Sequence, residues 1–401
     1  MAHNVLNIKA CEKYTPSQDL EIKQTMNDLI DTPTDFVKHF RRYATSLTTS
    51  MVFGFRCPTY EDRKVQELFN QLEEFTVLAM NPMTALMDFF PILRYLPDAV
   101  NPIARKSKIL FKATTSLYLS HWMPFKQQDV NVEDRFTFCK DQMETQRREG
   151  FSDEQAAWNA GSMLQAGSDT TSSTLVAFVQ ALAMFPDVQR KAKEEIDKVI
   201  GKDRLPIMDD ERHLPCLWAC RKELLRWMPA GILGALPHSC TKDDEYMGYT
   251  IPKGASIVNN VWGINMDEKR FPNPREFRPE RYMGDTTTSA ESAALPDATK
   301  RDHYTFGAER RICQGMHLAE RSLFLAMSRL IWGFNVQKAK GTDGKDIDID
   351  VDKFTQGIVC MPDTFECDIR PRDSAREEML RSAWREAKAT LSPQDLLVKE
   401  Y

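Results

Sequence analysis

Long apolar runs are absent from this 401-residue sequence. No stretch of about 18 consecutive apolar residues occurs, so no transmembrane helix is predicted. The first residues, MAHNVLNIKACEKYTPSQ, lack a positively charged region followed by an apolar one, which excludes a secretory signal there. Cysteines are few, odd in number and scattered, nine in all. Such a set favours free thiols in a reducing compartment over a disulfide framework.

An excess of positive charge is also absent, since 53 Lys and Arg stand against 58 Asp and Glu. The net charge of −5 and the pI near 5.9 argue against bulk nucleic-acid binding. The sequence contains no HExxH, G-x-S-x-G, P-loop or Rossmann fingerprint. Apolar side chains, in contrast, are plentiful: 42% of residues are hydrophobic, including 19 Met and 22 Phe. This composition is typical of a globular protein whose core is large enough to enclose an apolar ligand.

Helical patterns dominate the middle of the chain. Ser152 and Gln155 form a capping-box signature, and the helix that follows is predicted to continue to about Met184. Such a helix would be roughly 48 Å long at 1.5 Å per residue and would cross the whole domain. Further helices are predicted over residues 187–201 and 215–228.

The pattern changes in the C-terminal half. Residues 246–254 predict a hairpin, followed by a strand at 257–258. Residues 284–300 are of low complexity and predict a solvent-exposed loop insertion. The charged tail, 372–401, is helix-prone and predicts a solvated face. Together these patterns predict a mainly α protein with a minor β-sheet region, in which residues 1–401 form a single domain.

Small and polar residues interrupt the long helix, where positions 166–174 read AGSDTTSST. Gly, Asp, Ser and Thr are poor interior helix formers, so this stretch lowers local helix stability. One explanation is a stripe of small residues that packs closely against a neighbouring helix. The other is a functional groove, and the stretch alone does not decide between them.

The segment 306–315, FGAERRICQG, places one cysteine between glycines and downstream of two arginines. Arg310 and Arg311 would lower the cost of holding Cys313 as a thiolate. Because a helix is predicted from Gln314 onward, the sulfur would also lie at a helix N-terminus, where free N–H groups favour negative charge. The pattern is typical of a thiolate metal ligand. A buried or incidental thiol is the alternative.

This segment resembles the heme-binding loop of the cytochrome P450 superfamily, F-x-x-G-x-R-x-C-x-G. Glu309 stands at the second glycine of that motif, and Gln314 stands where proline is frequent. The continuation HLAERS is similar to filamentous-fungal members that act in secondary metabolism. The AGSDT stretch is similar to the superfamily motif A-G-x-D/E-T at every position. The loop positions that match are Phe306, Gly307, Arg311, Cys313 and Gly315.

The resemblance implies a triangular prism of helices around heme b, with Cys313 as the axial thiolate. Arg311 and His238 are implied as partners of the heme propionates. On the opposite side of the heme, Gly167 would thin the helix to make room for O2. Thr170 would donate a hydrogen bond to the dioxygen, and Asp169 would relay protons from solvent. The loop residues implied to lie against the heme are Phe306, Gly307 and Gly315.

Two further sets of residues follow from the same resemblance. The first is a structural triad of buried charges behind the heme loop, in which every member must be paired. Its members are Glu223, Arg226 and Arg281. The second set lines the substrate pocket. Its members are Met163, Leu164, Ala166, Ile232, Leu233, Ala235, Phe354, Ile358 and Val359.

The implied activity is that of a monooxygenase that inserts one oxygen atom from O2 into an apolar small molecule. Electrons would come from NADPH-cytochrome P450 reductase at the cytosolic face of the endoplasmic reticulum membrane. Microsomal members also carry an N-terminal anchor, a first sheet and a W-x-x-x-R helix. Since none is visible here, either an N-terminally truncated form or a mis-assigned initiator is expected. Two alternatives are a heme-binding but inactive pseudoenzyme and a reductase-independent heme-thiolate isomerase or dehydratase. The Asp169-Thr170 pair argues against the isomerase.

A zinc site is a weaker alternative use of the cysteines. Cys216, Cys220, His238 and Cys240 are ligand types that suit zinc. Their C-x3-C…H-x-C spacing is loose, and the first two lie on the predicted 215–228 helix.

Overall fold

Helix dominates the structure, a computed structural model that describes residues 2–127 and 137–392. The mainly α fold predicted from the sequence is confirmed. The α-helices of the described residues are α1 (Ala2–Leu6), α2 (Ile8–Glu12), α3 (Thr15–Asp31), α4 (Phe36–Phe53), α5 (Arg63–Ala79), α6 (Pro82–Phe89), α7 (Pro102–Gln127), α8 (Phe138–Glu149), α9 (Asp153–Met184), α10 (Pro186–Val199), α11 (Pro215–Trp227), α12 (Val261–Asn265), α13 (Ser289–Ala293), α14 (Met316–Gly333) and α15 (Ser374–Ala389).

The strands are short and pair only with one another, two at a time, within the described residues. The predicted hairpin forms over residues 244–251, with Met247 and Gly248 at positive φ in its turn. Glycine suits such a turn because it adopts positive φ without steric cost. The antiparallel pairs are β1 (His238–Ser239) with β4 (Ser256–Ile257), β2 (Asp244–Tyr246) with β3 (Tyr249–Ile251), and β5 (Phe334–Lys338) with β6 (Cys367–Pro371).

The central element is α9, whose bounds agree with the sequence prediction. The Ser152 hydroxyl accepts a hydrogen bond from the Gln155 N–H at 3.1 Å, and the Gln155 side chain accepts one from the Ser152 N–H at 3.0 Å. This capping box satisfies N–H groups that the first helical turn leaves free. Helices α4, α7 and α14 pack along α9.

Both ends of α9 lie in apolar cores, whereas its middle does not. The C-terminal end, residues 175–183, is buried in a core that also contains Trp227, Phe324 and Trp332. Toward the N-terminal end, Gly161 packs directly on α7, where a Cβ would lie 2.2 Å from the ring of Tyr118. The middle turns of α9 therefore lie between two apolar cores, and they border a cavity.

The segment 284–300 is mostly exposed, as its composition predicted, but it is not a loop throughout and two of its side chains are buried. It contains α13, which begins with a capping box formed by Thr288 and Glu291. Ser289 and Ser292 are buried. At Ser289 and Ser292 the prediction was wrong because small hydroxyl side chains are compatible with burial when they find hydrogen-bond acceptors, as they do here.

The C-terminal tail was also expected to be solvated, and over α15 this expectation was wrong. Arg376 and Leu380 are buried, and α15 packs against α3. The guanidinium of Arg376 lies 2.7 Å from Asp197 and stacks over Trp332 at 5.3 Å. The helix is amphipathic, so its charge count concealed one apolar face. Residues 393–401 lie outside the described residues.

An apolar protrusion extends from α5 through α6 to α7. Its side chains include Phe89, Ile92 and Tyr95, which are 78%, 76% and 87% exposed. Among the described residues, none of the helices combines the length and the apolar character that crossing a bilayer requires.

Candidate active site

A cavity of about 470 Å³ lies between the middle of α9 and the segment that contains Cys313. Its volume is within the range of small-molecule sites, and most of its walls are apolar. Helix α4 and residues 358–359 close two further sides. The lining residues from α9 are Ser162, Met163, Ala166, Gly167, Thr170, Thr171 and Thr174; those from the cysteine side are Thr305, Phe306, Gly307, Arg311, Cys313, Gln314, Gly315, Leu318, Ala319, Ser322 and Leu323.

Cys313 presents its side chain to this cavity, immediately before α14 begins at Met316. Its N–H donates to the Phe306 carbonyl at 2.7 Å, which closes the 306–313 loop on itself. Gly307 has a φ of +75°, a conformation that glycine adopts without strain. The cysteine is therefore held by backbone geometry at the N-terminus of a helix.

The groups that lower the pKa of the Cys313 thiol are not the two arginines that the sequence suggested. Enclosure by protein raises the pKa of Cys313, while the backbone N–H groups of Gly315 and Met316 lower it. The groups that favour the thiolate are thus the helix N-terminal amides, rather than the Arg310 and Arg311 side chains.

The residues around Cys313 fit a heme group. The sulfur faces the cavity, and a side chain at Gly315 would approach only Cys313, at 3.9 Å, which leaves that surface open for a flat macrocycle. Arg311 lines the cavity and supplies a guanidinium for a carboxylate. Gln314, which replaces the frequent proline, also lines the cavity. The side chain of Glu309 lies outside the described residues.

The polar stretch of α9 forms the facing wall. Thr170 lines the cavity, and its hydroxyl donates to the Ala166 carbonyl at 2.6 Å. Ser172 and Thr174 bond to their own helix in the same way. These local bonds explain how a run of poor helix formers stays helical.

Close packing against α4 explains the glycine at position 167. A Cβ at this position would lie 2.6 Å from the hydroxyl oxygen of Thr48 on α4, which also lines the cavity. Glycine here is therefore required by the close approach of α4 to α9. The small-residue interpretation of this stretch is correct at Gly167, and it coexists with the groove.

Asp169 is half-buried and is not among the described residues that line the cavity. Burial raises the pKa of its carboxyl group, and the positive charge of Arg41 on α4 opposes that rise. The acid and the threonine therefore occupy adjacent positions but different faces of α9.

The three charged side chains of the predicted triad are in contact, with Glu223 and Arg226 on α11 and Arg281 outside that helix. Arg226 and Glu223 are both fully buried and lie 2.7 Å apart, and Arg281 lies 3.3 Å from the same carboxylate. Arg226 also donates to the carbonyls of Asn265 and Pro274 at 3.0 and 2.9 Å. Every charge is paired, as burial requires.

Sequence reasoning missed two charged neighbours on the same helix. Arg221 and Lys222 are also buried. The run RKELLR, flanked by apolar residues, was the signal available in the sequence. It places four charged side chains within two turns of one helix, and they cannot all face solvent if that helix lies in the core.

Several predicted residues lie away from the cavity. His238 is exposed on β1 and does not appear among the described lining residues, and Leu164 is buried in the core instead. Ile232, Leu233 and Phe354 are also outside the lining, whereas Met163, Ala166, Ala235, Ile358 and Val359 are part of it. The described residues include no cluster of three His, Cys, Asp or Glu side chains suited to a metal, so the zinc alternative finds no support.

Comparisons with known proteins agree with this arrangement. The family model for cytochrome P450 matches residues 3–367. Cytochrome P450 monooxygenase virE of Hypocrea virens is 44% identical over 385 residues, covering 96% of this chain and 70% of that protein. Cytochrome P450 monooxygenase fogE of Aspergillus ruber is 44% identical over 385 residues, covering 96% of this chain and 71% of its own length. A third relative, fsoB of Humicola fuscoatra, is 42% identical over 384 residues, 95% of this chain and 71% of that protein.

A helical fold, a cavity-facing cysteine at a helix N-terminus and relatives at this identity lead to one conclusion: the chain belongs to the cytochrome P450 family of heme-iron oxidoreductases.

Proposed function

We propose that this protein is a heme-thiolate monooxygenase that inserts one oxygen atom from O2 into an apolar small molecule in fungal secondary metabolism. The observation that carries the proposal is the shared cavity of Cys313 and Thr170. One wall offers a thiol at a helix N-terminus, and the other offers a hydroxyl for hydrogen bonding. The relatives named as cytochrome P450 monooxygenases support the same reaction class.

The residues of this chain that would hold heme are Cys313 through its sulfur and Arg311 through its guanidinium. Phe306, Gly307 and Gly315 would pack against the ring from the cysteine side. His238 stays a prediction, since its exposed position on β1 does not by itself support a propionate contact. Heme, when bound, supplies the redox chemistry of O–O bond cleavage, which a thiolate ligand favours.

The protein contributes protons and hydrogen bonds to this chemistry. A hydroxyl has one donor and two acceptor positions, so Thr170 can keep its bond to Ala166 or rotate to donate into the cavity. Asp169, with a raised pKa, holds a proton closer to neutral pH than an ordinary carboxyl group does. An acid of this kind suits general acid catalysis, in which Asp169 would relay protons from solvent toward the cavity.

The walls away from the cysteine define the class of substrate. Leu47 and Met51 on α4, Met163 on α9, and Ile358 and Val359 present apolar side chains to the cavity. Such a surface favours an apolar small molecule and offers few hydrogen bonds to fix a polar one. The electron donor we propose is NADPH-cytochrome P450 reductase.

We further propose that the protein works at the cytosolic face of the endoplasmic reticulum membrane. The apolar protrusion supports this location, because large exposed apolar patches favour contact with protein or lipid. Substituting both Phe89 and Ile92 with Asp should reduce flotation with phospholipid vesicles. Unchanged flotation would contradict a membrane contact through this segment.

The central test is the spectrum of the purified protein loaded with heme and reduced under carbon monoxide. The proposal expects the red-shifted Soret band of thiolate ligation in the wild type and its loss in Cys313→Ala. Cys139→Ala, which removes a buried thiol on α8 outside the cavity lining, is the matched control and should keep the band. Persistence of the band in Cys313→Ala would overturn the ligand assignment, and heme binding without turnover would favour the inactive pseudoenzyme.

A further inference from the structure

Lys222 is a buried cation that the family motifs do not explain. Its side chain is 1% exposed. The ammonium lies 2.6 Å from Asp285 and 3.0 Å from Asp302, and it donates to the Thr287 hydroxyl at 3.0 Å. A buried ammonium needs such partners because water no longer solvates it. These partners lie at the two ends of residues 285–302, which we call the strap, so the lysine closes the strap onto α11.

Hydroxyl groups inside the strap extend this network to α14. The Ser289 hydroxyl donates to Glu320 at 2.8 Å, and the Ser292 hydroxyl donates to Asp302 at 2.6 Å. Glu320 also lies 3.5 Å from Arg221, the neighbour of Lys222 on α11. The strap is therefore bonded to α11 and to α14, the helix that follows the cysteine.

Contacts continue from the strap to the cysteine loop. The His303 N–H donates to the Asp302 carboxylate at 2.7 Å, and the buried His303 ring packs on Phe306 with 5.8 Å between ring centroids. The Thr305 hydroxyl donates to the Leu225 carbonyl of α11 at 2.6 Å. Phe306 in turn accepts the hydrogen bond from the Cys313 N–H. A continuous set of contacts thus joins Lys222 to the sulfur-bearing residue.

We propose that Lys222 is a positioning residue for Cys313, acting through Asp285, Asp302, His303 and Phe306, and that the strap, which lies outside the cavity lining, holds the cysteine loop in place. This inference rests on the proposed function, because its consequence is the geometry of the thiolate ligand. It differs from the Glu223 triad in what it holds. The triad anchors residues 274–281, whereas Lys222 anchors the segment that leads directly into residue 306.

The test compares Lys222→Met and Lys222→Arg with the wild type. Lys222→Met leaves Asp285 and Asp302 without their cation, and we expect the fraction of heme showing the red-shifted carbon monoxide band to fall roughly twofold or more. Amide exchange at Cys313 should become faster, because the bond to Phe306 opens more often. Lys222→Arg keeps the positive charge and should restore both readouts.

Arg376→Met is the matched control. It also removes a buried cation, 2% exposed and paired with Asp197, but on α15 away from the loop. We expect it to lower the thermal midpoint without changing the band fraction or the exchange at Cys313. Should Lys222→Met fail to fold, Thr287→Ala removes one partner of the ammonium and is read out in the same way.

The outcomes separate the two proposals. Two results would overturn the positioning role. One is that Lys222→Met keeps both the wild-type fraction of heme with the red-shifted band and the wild-type amide exchange rate at Cys313. The other is that Arg376→Met loses as much as Lys222→Met does. Absence of the band in the wild type would instead contradict the proposed function, and the exchange comparison would still decide whether Lys222 controls the loop.

Discussion

The two walls of the cavity differ in how far along the chain their stabilising contacts reach. On the α9 wall, Thr170 bonds to a carbonyl four residues earlier, and its hydroxyl neighbours do the same. On the cysteine wall, Thr305 bonds to the Leu225 carbonyl of α11, 80 residues away. The triad on the same helix joins Arg281, which is outside the cavity lining, to a carboxylate 58 residues away. The hydroxyl groups of the first wall therefore find their hydrogen-bond acceptors within their own helix. The second wall depends on buried charges that single distant substitutions can disrupt.

The largest effect is expected from Glu223→Gln in the buried triad on α11, the helix to which the cysteine wall is bonded through Thr305. The change leaves the buried guanidinium of Arg226 without its counter-charge, at a cost of about 3–5 kcal/mol in the free energy of unfolding. Urea unfolding measures this cost. Glu194→Gln, in an exposed pair with Arg190, is the control and should cost about 0.5 kcal/mol or less. Equal costs for the two variants would remove the contrast between the walls.

A smaller effect is expected from Gly167→Ala on the α9 wall. The new Cβ would meet the Thr48 hydroxyl at 2.6 Å, and overpacking of this kind costs about 1–3 kcal/mol. The better helix propensity of alanine offsets about 1 kcal/mol of that cost. Thr48→Ala in the same protein should relieve the clash, so a double-mutant cycle should show favourable coupling. Additive effects would show that α4 does not restrict position 167.

The third prediction concerns pH. The raised pKa of Asp169 means that the folded state binds its proton more tightly than the unfolded state does. Its contribution to stability therefore falls as pH rises from the ordinary aspartate range, about pH 4, toward the raised value. Asp169→Asn cannot ionise, so its stability relative to the wild type should increase over that window and then level off. Urea unfolding at several pH values measures the difference, and a difference that is flat across the window would contradict it.

The smallest effect on stability is expected from Thr170→Ala. Its hydroxyl bonds only to its own helix among the described contacts, and alanine is the better helix former, so the change should stay within about 0.5 kcal/mol. Product formed per NADPH consumed should nevertheless fall. Ser172→Ala is the matched control, because Ser172 makes the same type of bond without lining the cavity. Equal coupling in both variants would argue against a role for Thr170.

Much of the fold and the site could be predicted wherever the signal was local. The capping box at Ser152 begins α9 as expected, and Cys313 lies at the helix N-terminus that its neighbours indicated. The errors occurred where burial depended on distant residues. Ser289 and Ser292 were expected to be solvated because the segment 284–300 is polar in composition, and α15 was expected to be solvated because it is charged.

The sequence by itself determined which two segments form the walls of the cavity. Both could be recognised because a cysteine loop before a helix and a hydroxyl-rich helical turn are patterns of only a few residues. Only the tertiary structure decided why Gly167 must be small, where Asp169 lies, and that Lys222 is buried against the strap. The physical reason is that desolvation makes a buried charge or a close helix contact depend on partners that the chain supplies from far away.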